Sequence, residues 1–124
     1  MTVKECYEQA VAFLPEEPDE NMEMKKFAVK WCNMLLAECL GYENIFRRVN
    51  GLSEFSVAPK VHSENDEIPF NERLVAAAFP YGIARFVFKE NDDISGSNEF
   101  YQLYVNALSE ATPLETVEIE DIYR

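Results

Sequence analysis

The sequence is poor in the residues that most chemistry needs. It has one histidine, four glycines and one tryptophan in 124 residues. A single histidine, His62, excludes a two-histidine metal site within one chain. It also gives no convincing Ser-His-Asp or Cys-His relay, and its polar surroundings read as an ordinary loop. Four glycines supply neither a G-x-x-x-x-G-K-[ST] nor a G-x-G-x-x-G phosphate loop. Three cysteines are an odd number, and MTVKECYEQ has no apolar signal core, so we expect reduced thiols in a cytosol-like compartment. Cys32 and Cys39 lie seven apart on one helical face and suit a core better than a metal pair. The longest apolar run, Leu74 to Val87, is broken by Pro80 and Arg85. It falls short of the roughly 20 residues a bilayer span needs, so a soluble protein is expected.

Positive charge is also scarce: 11 basic residues stand against 23 acidic ones, for a net charge of −12. The excess sits at the ends. Residues 1–26 carry three lysines and seven acids, residues 27–90 seven basic and eight acidic residues, and residues 91–124 one arginine and eight acids. Such a surface repels nucleic acid, and no basic patch for tracking phosphates is visible.

What is present is helical periodicity. Thr2 and Glu5 match a capping box for a first helix of about three turns, reaching Leu14. Pro15 and Pro18 stop it, and Asp19, Glu20 and Glu23 suit the positive end of the next helix. That second helix is expected from Met22 to Leu40, with an apolar face wide enough for contacts on two sides, and with Gly41 as its terminating glycine. GYENIFRRVNG reads as a short third helix. The stretch 52–69 has no helical period and weak alternation around Phe55–Val57 and Lys60–His62, so it is a long loop with short extended pieces at most.

The stretch FNERLVAAAFPYGIARFVFKEN, 70–91, forms the next helix, with Pro69 suited to its first position. Pro80 removes one backbone hydrogen bond and crowds the Ala76 carbonyl, which predicts a kink. Gly82 beside it lets a neighbour approach closely. The helix is apolar enough to be the central post of a bundle. Arg85 is its one charge between Arg73 and Lys89, and either snorkels to the surface or pairs with an acid on a neighbouring subunit. A last helix is expected from Ser97 to Ala111, ended by Pro113. The tail PLETVEIEDIYR alternates apolar residues with acids.

Asn91 to Glu99 invites comparison with a calcium loop. Asn91, Asp93 and Ser95 fall at the first, third and fifth positions and Gly96 at the sixth. Gln102, however, stands where the bidentate glutamate belongs, and Asn98 where an apolar residue belongs. A helix–helix turn, with Gly96 at positive φ and Ser97 as N-cap, is the better reading.

Taken together, a loop ending in DEIPF, a helix carrying PYGIARFVF, an acidic turn, a Tyr-rich helix and a close on IEDIYR resemble a known family. They resemble the small head–tail connector proteins of tailed bacteriophages, also called adaptor or head-completion proteins. The likeness is greatest to those of phages and prophages of Gram-positive bacteria, and it runs from Cys6 to the C-terminus. The resemblance implies a helical bundle assembled as a ring under the portal protein. The ring extends the DNA channel and meets the next neck or tail protein, in the virion neck and, during assembly, the host cytoplasm. It implies no reaction and no cofactor. It also implies contacts through the 53–68 loop and the 113–124 tail, with the helices as scaffold.

The expectation is therefore one all-α domain over 1–124, a bundle of three to five helices with a long loop and an extended C-terminal tail. No catalytic, cofactor or metal residues are assigned, and no sequence-specific nucleic-acid or membrane binding is expected. Interaction residues are placed at Phe55, Val57, Val61, Arg85, Val117, Ile119, Ile122 and Tyr123. The alternative function is a cytosolic acidic adaptor or regulator that binds one protein partner.

Overall fold

In the computed structural model, which describes residues 1–14 and 23–112, the chain is all-α. Five helices pack around one core: α1 (Val3–Val11), α2 (Ala28–Glu38), α3 (Leu40–Val49), α4 (Glu72–Glu90) and α5 (Ile94–Ala111). A 3-10 segment, Glu23–Phe27, leads into α2. None of the helices in the described residues is long and apolar enough to cross a membrane. The expected C-terminal tail, with Val117, Ile119, Ile122 and Tyr123, lies outside the described residues.

α1 starts as its capping box requires. The Thr2 hydroxyl accepts from the Glu5 amide at 3.1 Å, and the Glu5 carboxylate accepts from the Thr2 amide at 3.2 Å. Cys6, Tyr7 and Ala10 then face the core with 1% exposure or less. Burial pushes the Tyr7 hydroxyl up to about 12.

The second helical segment breaks earlier than its sequence suggests. Cys39, at φ −97° and ψ 4°, separates α2 from α3, and Gly41 lies inside α3 rather than ending α2. The glycine that ends a helix here is Gly51, after α3, at φ +71°. Cys39 and Leu36 are both in the core, at 0% exposure, and Glu43 on α3 reaches Asn71 at the start of α4.

α4 is the central post. Ala78, Phe79, Pro80 and every residue from Gly82 to Phe88 are buried, so the helix is covered on all sides. Helical structure continues through Pro80, which has no amide to give the Ala76 carbonyl, and Ala76 is exposed. Asn71, not Pro69, begins the helix: its side chain accepts from the Leu74 amide at 3.0 Å. Gly82 is a packing glycine. A Cβ there would lie 2.7 Å from Leu35 Cδ2 on α2 and 3.2 Å from Tyr104 Cε1 on α5.

α5 returns antiparallel along α4, with Ser97 opposite Arg85, Tyr104 opposite Gly82, and Arg73 donating to the Glu110 carbonyl at 3.3 Å. The turn between them differs from the expected one. Asp92 takes the left-handed conformation at φ 59°, and Asp93 caps α5 by accepting from the Gly96 amide at 2.8 Å. Gly96 is helical, and a Cβ on it would sit 2.5 Å from the Phe88 ring. Because the helix already starts at Ile94, the calcium-loop register is not formed. All three cysteines are free and buried.

Candidate functional site

Two surfaces stand out, a locked loop and a groove. The loop, 52–69, contains no strand, and its one bridge is the isolated pairing of Thr2 with Glu67. It is held by side chains gripping its backbone and by main-chain bonds to the start of the chain. Asn44 on α3 donates to the Phe55 carbonyl at 3.0 Å and accepts from the Phe55 amide at 2.8 Å. Asn33 on α2 does the same at Val61, at 2.9 and 2.8 Å. Each primary amide thus satisfies both backbone groups of one residue, as a neighbouring strand would.

Further contacts extend this grip. The Val3 and Lys4 amides donate to the carbonyls of Asp66 (3.1 Å) and Glu64 (2.8 Å), and the Ile68 amide donates to the Met1 carbonyl at 3.0 Å. The Asp66 carboxylate accepts from the amides of His62 and Ser63, which lowers its pKa. These bonds fix the loop to the helical body on both sides of residues 56–60.

A buried carboxylate anchors the loop's base. Glu43 is 1% exposed. Its Oε1 accepts from the amide and the side chain of Asn71, at 2.7 and 2.9 Å, and its Oε2 accepts from Arg47 Nε at 3.0 Å. Arg47 then lies 3.8 Å over the Phe55 ring and donates to the Ser53 carbonyl. Burial of an ion costs several kcal/mol unless its lone pairs are used, and here they are. Glu43 therefore ties α3, the start of α4 and the loop together.

This framework decides what the loop presents. Val57 is 75% exposed, and Leu52 and Val49 are 50% and 48% exposed. Phe55 is half-buried under Arg47. Val61 corrects the sequence reading: at 2% exposure it is a core residue and offers its side chain to no partner.

Arg85 corrects it too. The side chain neither snorkels nor waits for another subunit. It is 9% exposed, and Nη2 donates to both oxygens of Glu38 in the same chain, at 3.2 and 3.1 Å. Its guanidinium lies 4.2 Å from the Phe86 ring centre and about 5 Å from those of Tyr101 and Tyr104. Tyr104 donates to Glu38 Oε1 at 2.9 Å, so the Cys39 thiol, 3.0 Å away, is left to donate to the tyrosine oxygen. Burial pushes the Cys32 and Cys39 thiols up to about 12 and raises Tyr104. These are inert, protonated groups rather than nucleophiles.

The Arg85–Glu38 pair floors a groove between α2 and α5. One hollow of about 500 Å³ is lined by Met34, Lys89, Ile94 and Tyr101 around the pair. A second, of about 460 Å³, shares Glu38 and Tyr101 and continues along α5 to Leu108. No group of three or more His, Cys, Asp or Glu among the described residues could hold a metal ion.

Sequence reading missed Asn33, Asn44, Glu43 and Arg47. The only local signal was the Glu43–Arg47 spacing of four, together with asparagines in helix interiors, where they are weak formers unless the side chain has other work. No protein-family model matches this chain, and no curated protein or solved structure matches it either.

Proposed function

We propose that this chain is a structural assembly protein, a small connector that forms a ring beneath a phage portal and joins the DNA-filled head to the tail. Its partners in this reading are further copies of itself, the portal protein and the next neck or tail protein. It acts in the virion neck after assembly in the host cytoplasm. No reaction and no cofactor belong to it.

The observation that carries the proposal is the locked loop, which leaves Val57 75% exposed between its two asparagine clamps. Binding costs the ordering of whatever is loose, and this apolar tip is already ordered by Asn33, Asn44 and Glu43. A preset apolar knob on a rigid helical body suits a repeated contact between subunits. The net charge of −12 fits a channel through which duplex must slide without being held.

The test is native mass spectrometry with negative-stain microscopy over a wide range of protein concentration. A closed ring of fixed subunit number is expected, lost in Val57→Asp at unchanged melting temperature. A ring indifferent to Val57→Asp overturns the role of the loop. A tight one-to-one complex with a single partner, with no ring, replaces the connector reading with the acidic adaptor.

A further inference from the structure

The groove over Arg85 shares no lining residue with the locked loop and has its own logic. Its floor is an arginine whose hydrogen bonding is incomplete: Nε is buried and has no acceptor. An unmet donor of this kind is costly in a folded chain and rare without a reason. Beside it, Lys89 is exposed and makes no salt bridge among the described residues. Against these two cations the groove sets one acid, Glu38. The rim is apolar, with Ile94 71%, Tyr101 48% and Met34 41% exposed. The site therefore asks for an extended segment that alternates apolar side chains with carboxylates.

We infer that the groove receives residues 113–124 of the same chain. Their sequence has the required pattern, Val117-Glu118-Ile119-Glu120, followed by Asp121, Ile122 and Tyr123. Four acids against one arginine complement the Arg85–Lys89 end. The described chain stops at Thr112, one turn past Leu108, where the groove begins. From Leu108 to Ile94 the groove follows α5 for about 20 Å. Twelve extended residues reach about 40 Å, enough to turn back after Pro113 and run its length. An extended segment sets Val117 and Ile119 on one side and the intervening acids on the other. Attachment to α5 makes the encounter intramolecular, which favours it over the same segment arriving from another copy.

The test uses the full chain with Arg124→Cys carrying a nitroxide. The three native thiols are buried, so the label goes to the new site. Methyl NMR in dilute solution is expected to show the Met34 and Ile94 signals losing most of their intensity, while Val3 and Val61, in the core, keep theirs. Ile119→Asp with Ile122→Asp is expected to restore the lost signals, and Lys89→Glu to restore them in part. Mixing isotope-labelled chains without nitroxide with unlabelled chains that carry it separates the sources. Broadening only in that mixture means a second copy fills the groove and overturns the intramolecular assignment. No selective broadening in either sample overturns the docking altogether. A ring that forms while the groove stays empty removes this inference and leaves the connector reading intact.

Discussion

Glu43 takes both N–H donors of Asn71 on a single oxygen, the main chain at 2.7 Å and the side chain at 2.9 Å, while Asn71 itself caps α4. One buried carboxylate thus holds a helix cap from a distance of 28 residues. Removing it strands Arg47 and both asparagine donors. We expect Glu43→Ala to cost about 3 kcal/mol, near the lower end for breaking a buried charge pair. Glu43→Gln should cost less, since it keeps an acceptor for Asn71. Urea unfolding of the three proteins at equal slope measures both.

Two glycines make opposite predictions. Gly82→Ala drives a methyl to 2.7 Å from Leu35 and should destabilise by about 1–3 kcal/mol. Gly41→Ala meets nothing within 4 Å inside α3 and should stabilise by about 0.5–1 kcal/mol. Thermal melts decide the pair, and a destabilised Gly41→Ala would show that α3 does not run through that position.

The loop clamps make a local prediction. Asn44→Ala leaves the Phe55 amide and carbonyl without partners, and Asn33→Ala does so at Val61. Each should cost about 1–3 kcal/mol. The sharper readout is amide hydrogen exchange, which should accelerate at residue 55 in the first variant and at residue 61 in the second. Equal exchange in wild type and variants would show that the clamps do not hold the loop.

The thiols set the alkaline limit of stability. Cys32 and Cys39 are held up at about 12 by burial, against an ordinary 9.0. The folded chain therefore keeps protons that the unfolded chain gives up. Stability is fully present below pH 9 and falls as pH rises from there toward 12, by about 1.4 kcal/mol per pH unit for each thiol. Urea midpoints from pH 7 to 11 should be flat at first and then decline. Cys32→Ala with Cys39→Ala should make the decline shallower and leave the part due to Cys6, whose thiol burial also raises. A thiol reagent at pH 8 should label the native protein only as fast as it unfolds.

How much of this was legible follows from the range of each interaction. The capping box at Thr2 and Glu5 is three residues wide, and sequence pattern finds it. The central helix is readable because its burial is nearly uniform. The helix break is not: Gly41 offers the local signal, yet the bend falls at Cys39, a fully buried residue that nothing local marks. Gly96 looked like a turn glycine and is a packing glycine under Phe88, while Asp92 takes the left-handed position. Arg85 could be flagged as unusual, but its partner lies 47 residues away. The asparagine clamps span 28 and 11 residues, and nothing local marks which backbone each will hold.

Those clamps grip main chain and never touch the identity of what they hold. Asn33 and Asn44 bond to groups every residue but proline carries, so residues 56–60 between them can be rewritten without loosening the frame. The lineage is thereby free to change what its loop says to a partner while keeping the sentence in the same place. Divergence should concentrate at those five positions, and the two asparagines should be the last to go.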